Sequence, residues 1–540
     1  MPGPEISYPT SYTSMQASKQ YNNQLNSMPI RESTSQIIPQ NFQPLAAPLC
    51  SGNGSQTKHT SSQTNQLQYC TLDSSLTYNS PSTVSISPTS GSPISHQDYQ
   101  SDNTYGSPPS VSCITDDPND LQNKLRELEN AILCTEMENP VDSIQSALQS
   151  HLSLDTENWM QIMGIPQGDL KRALMVCAQA VAENDISLAE WLIAQLRPMV
   201  SVSGDPGQRL GAYMLEGLVA RLASSGSLIY KALRCKEPAS SDLLSYMHLL
   251  YEACPYFKFG YLSANGAIAE AFKGEDRVHI IDFQIAQGTQ WVTLLQALAK
   301  RPRGPPHVRI TGIDDSVSAY ARGGGLHIVG QRLSHFAKSL NVPLEFHPAV
   351  LSAGEVQPPD LWIQPGEALA VNFAFQLHHL PDESVSTTNQ RDRVLRLVKS
   401  LSPRVVTLVE QESNTNTAPF FPRFVETLDY YTAIFESIDV ALPRENKERI
   451  NVEQHCLARD IVNIIACEGA ERIERHELLG KWKARFTMAG FTPVPLSPLV
   501  NATIKGLLEN YPEKFRVEER DGALYLGWMN RALVVSCAWR

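Results

Sequence analysis

Residues 278–291 read VHIIDF (Val278–Phe283) and then QIAQGTQW (Gln284–Trp291). The first half is a short apolar run rich in β-branched residues, ending at the acid Asp282. That is the pattern of a strand buried on both faces. The second half is a polar loop holding Gly288, and it runs into a helix expected over Thr289–Lys300. Downstream the same unit recurs. VRITGI (Val308–Ile313) is a second strand, stopping at Asp314 and Asp315, and a helix is expected over Gly323–Leu340. LEFHPAV (Leu344–Val350), ALAVNFAF (Ala368–Phe375) and VVTLVEQE (Val405–Glu412) are further strands, with a helix through Arg391–Leu401 before the last. Strands alternating with helices of this length predict a parallel sheet covered on both faces. The final segment, FRVEERDGALYLGWMNRALVVSCAWR, reads as an antiparallel hairpin. Its turn is Arg520–Asp521–Gly522, and Leu524–Trp528 and Leu533–Trp539 continue as strands.

Upstream of the first strand the pattern is helical. The stretch Leu170–Val200 breaks at Asn184–Asp185, and Asp205–Pro206 starts another helix. Its leucines suit helix-on-helix packing, and the faces around Leu170–Leu196 and Gly211–Leu222 are candidate partner surfaces. Further upstream the composition changes. All seven Trp lie from Trp159 onward, and only Lys19, Arg31 and Lys58 are basic before residue 120. Residues 1–118 are rich in Ser, Thr, Asn, Gln and Pro, which cannot bury enough apolar surface to offset chain entropy, so a disordered arm is expected. Its Ser-Pro steps make it a candidate regulatory segment. Leu121, Leu125, Leu128 and Ile132 share one face of a short amphipathic helix within a linker, 119–157.

The formal net charge of −12 disfavours a protein that coats nucleic acid, because nonspecific affinity comes mostly from neutralised phosphates. Two local basic groups remain candidates for DNA: Lys300, Arg301, Arg303 and Arg309, or Arg472, Arg475, Lys481, Lys483 and Arg485. An ordinary solvated face is the plainer reading of both. The ten Cys form no CxxC pair, and no metal site is expected. His378–His379 lack the spacing of a metal-binding helix and read as structural. No run approaches a membrane span.

In open α/β sheets ligands sit at the carboxyl ends of the strands, at the switch point. Here that places Asp282 at the candidate pocket. Methyltransferases that use S-adenosylmethionine carry an acid-x-Gly-x-Gly-x-Gly loop there. In this chain the acid is Asp282, and the glycine positions are Gln284, Ala286 and Gly288. Two side chains where glycines let backbone approach a cofactor should narrow the pocket. Asp314 stands where a second-strand acid would bind ribose hydroxyls. The reading is a vestigial pocket without cofactor or catalytic residue. A small-molecule methyltransferase, or a sensor that keeps the pocket, is the alternative.

Several segments together resemble the plant GRAS family of SCARECROW-like regulators. Val278, His279, Ile280, Ile281 and Asp282 resemble its central signature. Pro443, Arg444 and Glu445 resemble its middle motif. Trp482, Trp528, Ser536, Ala538 and Trp539 resemble its terminal motif, with Cys537 interrupting the Ser-Ala-Trp lettering. LQNKLRELENAIL and FQIAQGTQW further resemble the branch linked to phytochrome-A signalling, which includes chitin- and gibberellin-responsive members. The resemblance implies a Rossmann-like, methyltransferase-related core with an α-helical cap. The family domain then covers 158–540, with a leucine-rich helical part at 168–272, the core at 277–440 and a carboxyl-terminal α/β part at 441–540. It implies a nuclear, and partly cytoplasmic, transcription factor or coregulator in light, hormone or stress signalling. Its partners would be other transcription factors and further GRAS chains, in homo- or hetero-oligomers, with DNA touched weakly or through partners.

Overall fold

The computed structural model describes residues 156–223, 238–315 and 324–540. The expected arm, the amphipathic helix at 121–132 and part of the glycine run at 323–325 lie outside them. Within the described residues the chain begins with helices. α1 (Thr156–Ile162), α2 (Leu170–Ala182), α3 (Ile186–Leu196) and α4 (Pro206–Leu222) precede α5 (Ser240–Ala253) and α6 (Tyr256–Ala271). Their starts are written in side chains. Asp169 accepts a hydrogen bond from Arg172 N, and Asp185 from Leu188 N. Asp205 and Gln208 form a reciprocal capping box, with Pro206 at the first helical position, where its missing N–H costs nothing.

The sheet follows. β1 (Arg277–Asp282), α7 (Thr289–Ala299), β2 (His307–Asp314), α8 (Leu326–Ser339), β3 (Leu344–Val350), β4 (Ala368–Ala374), α9 (Gln390–Ser400) and β5 (Val405–Gln411) alternate as the sequence predicts. α10 (Phe420–Ala441), α11 (Lys447–Cys456), α12 (Ala458–Ala466) and α13 (Leu479–Met488) come next. β6 (Pro493–Val494), α14 (Pro498–Leu508), β7 (Phe515–Arg520), β8 (Ala523–Trp528) and β9 (Arg531–Trp539) end the series. Strand order is β3-β2-β1-β4-β5-β9-β8-β7, with β6 beside β9. The first five strands are parallel, and the rest are antiparallel. This is a Rossmann-like order, and its switch point falls between β1 and β4.

The closing segment is a three-stranded meander rather than one hairpin. Asp521 and Gly522 both take positive φ, as a tight two-residue hairpin turn requires. A second turn begins at Met529, also at positive φ. β9 then pairs with β5 on its other side, Val409 opposite Ser536, so the strands after 441 extend the same sheet.

Each face of the sheet is covered. α6 packs across β4, β5 and β9. A Cβ on its Gly260 would stand 2.5 Å from Val409 Cγ1, so the helix backbone reaches the strand only because that residue is glycine. On the other face, Val394, Leu395 and Val398 of α9 share a core with Trp482 and Phe486 of α13 and Trp539 of β9. α4 lies under α10, α12 and α2 in the helical cap.

Candidate functional site

The switch point is occupied by the protein's own side chains. β1 delivers Asp282 to the end of the sheet, where its neighbours in register are Gly312 of β2 and Asn372 of β4. Asp282 is buried. Its Oδ2 accepts from the Trp291 indole N–H at 2.9 Å, and its Oδ1 from Asn372 Nδ2 at 3.0 Å. Asn372 and Gln290 exchange amide hydrogen bonds in both directions, each 3.1 Å. Thr407 Oγ1 donates to Asn372 Oδ1 at 2.8 Å, and Gln290 Nε2 also reaches Asn265 Oδ1 on α6 at 3.3 Å. Burial pushes the Asp282 carboxyl up to about 6, against the donors that favour its charged form.

The loop carrying Gln284, Ala286 and Gly288 closes over this network. Ala286 takes φ +44°, a conformation glycine would adopt freely. Ile285 is buried, donates its N–H to Ile313 O, and fills the space over Gly312. Gly288 keeps φ +75° at the start of α7, and a Cβ there would meet Val329 and Leu333 at 3.0–3.1 Å. Gln284 Oε1 is buried without a hydrogen-bond partner. Asp314 ends β2 as expected and accepts from the Asp315 N–H. The network itself is not evident in the sequence. Its one signal is Asn372, an amide in the middle of an otherwise apolar strand.

The other signature positions are scaffold. Val278, Ile280 and Ile281 are core residues. His279 is buried against Thr311 Oγ1 at 2.8 Å, and burial lowers its imidazole to about 3, aided by the Arg309 charge. Trp482 lies under the Arg391 guanidinium. Trp528 donates to Glu436 Oε2 at 3.1 Å, Ser536 accepts from Ser263 Oγ at 2.7 Å, Ala538 is buried, and Trp539 stacks on Phe486. Only Pro443, Arg444 and Glu445 are exposed. Arg444 pairs with Asp439, which also receives Arg209 of α4 at 2.8 Å. Arg209 is wholly buried and bonds both oxygens of Glu453, itself held by Arg449 at 2.7 Å.

The basic groups are largely spoken for. Arg472, Arg475 and Arg485 are buried, not surface residues. Arg485 sits among Glu477, Asp382, Glu383 and Asp392, while Arg472 and Arg475 donate to the carbonyls of Thr415 and Gly469. Lys481 donates to Thr417 and Lys483 to the Asp521 carbonyl. In the other group, Arg309 is buried against Glu345 and Glu367, and Arg301 bonds the carbonyls of Glu275 and Phe272. Lys300 and Arg303 are exposed. Of the two candidate partner surfaces, α4 is buried from Arg209 to Leu218, so Gly211–Leu218 is core and only Val219, Arg221 and Leu222 are half-buried. α3 keeps Ile186 and Trp191 41% exposed, and Ile162 of α1 is 77% exposed. Trp159 and Trp191 meet edge to face, joining the two helices. His378 and His379 follow β4 in a short 3-10 turn, buried beside Glu474.

Comparison with known proteins agrees with this architecture. The chain is 65% identical over 474 residues to chitin-inducible gibberellin-responsive protein 2 of Oryza sativa, covering 87% of each chain. It is 67% identical over 431 residues to the Scarecrow-like transcription factor PAT1 of Arabidopsis thaliana, covering 79% of this chain and 88% of that one. The crystal structure of SCL7 from Oryza sativa superposes with a TM-score of 0.62 at 39% identity, over 69% of this chain and 99% of that chain. The model of the GRAS domain family matches residues 170–540, and the chain belongs to that family of plant transcription regulators.

Proposed function

We propose that this chain is a nuclear, non-enzymatic regulator that acts through protein contacts and reaches DNA through its partners. The observation that carries the reading is the filled switch point. Both oxygens of Asp282 are engaged by Trp291 and Asn372, and Ile285 covers Gly312, so the residues present do not fit S-adenosylmethionine. The burial of Arg309, Arg472, Arg475 and Arg485 inside the fold supports the second half, since it removes four of the nine candidate cations from contact with phosphate. The exposed Ile162, Ile186 and Trp191 are the surface we assign to another transcription factor or a second GRAS chain. The similarity to chitin-inducible, gibberellin-responsive and PAT1 relatives supports a place in hormone, stress or light signalling.

The test is selection of duplex DNA from a random pool by the purified full chain at near-physiological salt. No enrichment from folded protein is the expected result. A motif whose single-base changes abolish binding would make this a direct DNA reader. Millimolar S-adenosylmethionine is expected to leave the melting temperature unchanged. A ligand at 100 times its dissociation constant adds about 2.7 kcal/mol, so a clear rise would return the enzyme reading.

A further inference from the structure

The carboxyl ends of β4 and β5 meet the segment between α12 and α13 in a buried cluster that the switch-point network does not use. Glu410 of β5, His378 and His379 after β4, and Glu474 and His476 before α13 are all buried. His378 Nε2 lies 3.3 Å from Glu474 Oε2, His379 Nε2 lies 3.4 Å from Oε1, and His476 Nε2 lies 3.6 Å from Oε2. Three imidazole nitrogens therefore surround one carboxylate. These separations exceed the roughly 2.7–2.9 Å of a good charge-assisted hydrogen bond. The two measured to Oε2, 3.3 and 3.6 Å, bracket the roughly 3.4 Å edge of a tetrahedron whose metal–ligand bonds are about 2.0–2.1 Å, while His379 is measured to the other oxygen, Oε1.

The far sides of two rings are already oriented. His378 Nδ1 bonds Glu410 Oε2 at 2.6 Å, and His476 Nδ1 faces Thr415 Oγ1 at 3.0 Å. Carboxylate or hydroxyl partners on the distal nitrogen are how metal-binding histidines are held in tautomer and direction. The backbone is pinned as well. Leu377 N–H donates to Glu410 Oε1 at 2.8 Å, and Ile473 and Glu474 N–H both donate to Asn463 Oδ1. His476 Nε2 is left without a hydrogen-bond partner although it is buried and turned toward Glu474.

We propose that His378, His379 and Glu474, with His476 available as the fourth ligand, form a site for one divalent metal ion of the zinc class. Nitrogen donors select zinc-like ions over magnesium or calcium, and four buried protein ligands make a closed, structural centre. With His378 Nδ1–H donating to Glu410, the Nε2 lone pair faces the metal position. The ion ties the Glu474–His476 segment, and with it α13, to the ends of β4 and β5.

The full chain, purified without chelator from zinc-supplemented cells, is expected to carry about one zinc per chain by elemental analysis. His379→Asn should lose most of that metal, whereas His248→Asn, at an exposed position on α5, should keep it. If H379N does not fold, the chelator-treated wild-type chain supplies the test. Zinc should raise its melting temperature where magnesium does not, and cobalt(II) should give the visible bands of a tetrahedral site. Folded wild-type chain without zinc, and without a zinc-specific melting shift, would overturn the proposal. So would equal zinc in H379N.

Discussion

At the residue scale the decisive fact is what holds Asp282. The acid and its place at a strand end were legible in the sequence, because a β-branched run stopping at Asp is a local pattern. Its partners were not, because Trp291 and Asn372 reach it only once helix α7 and strand β4 take their registers. Trp291→Phe removes one donor from a buried carboxylate and is expected to cost about 1–3 kcal/mol in denaturant unfolding. The cost should depend on pH. The folded-state value of Asp282 is about 6, above its ordinary 3.8, so its contribution is fully present below 3.8 and is lost as pH rises through 6. The lost indole N–H had favoured the charged form, so the variant's deficit should widen above pH 6 and narrow below pH 4. A deficit independent of pH would mean the indole contributes packing alone. The arginines teach a related lesson. Arg472, Arg475 and Arg485 read as a charged face because sequence shows alternating signs but not burial; the fold turns them inward, where Glu477, Asp382 and backbone carbonyls receive them.

At the element scale, α4 is the helix whose reading changes most. Its Asp205–Pro206 start was legible, since capping is local chemistry. That its middle, Arg209–Leu218, would be buried on every side was not, because the covering helices α10 and α12 come some 200 residues later. Two of its polar residues carry the consequence. Arg209 joins α4 to Asp439 and Glu453, so Arg209→Met should destabilise by about 3 kcal/mol, chiefly by leaving Glu453 undercompensated in a buried place. Adding Glu453→Gln should recover part of that loss, and failure to recover any would show that the cost is packing. Glu216 faces the opposite problem. Burial raises its carboxyl from 4.5 to about 7, so its contribution to stability is lost as pH rises through that value. Glu216→Gln should therefore raise the melting temperature at pH 8, by up to about 3 kcal/mol of stability, and gain little near pH 5.

At the scale of the whole molecule, the helical cap and the sheet divide the labour between contact and framework. Ile162→Ser with Ile186→Ser should change folding stability by less than about 1 kcal/mol, because both residues are substantially exposed. The same pair should weaken self-association or partner capture, read by sedimentation; unchanged assembly would move the interface off α1 and α3. The alternation of β1–β5 with helices was legible from periodicity, but the place of β9 in the sheet was not. β9 sits between β5 and β8, and a run that reads locally as a hairpin gives no sign of a partner some 130 residues earlier. That placement bears on the order of synthesis. A ribosome makes β5, β7 and β8 before β9, so until residues 531–539 emerge β5 presents an unpaired edge and the β7–β8 pair has no strand linking it to the sheet. A message that stopped before residue 531 would yield not a slightly trimmed regulator but two parts of a sheet without the strand between them, a form suited to chaperone capture and degradation.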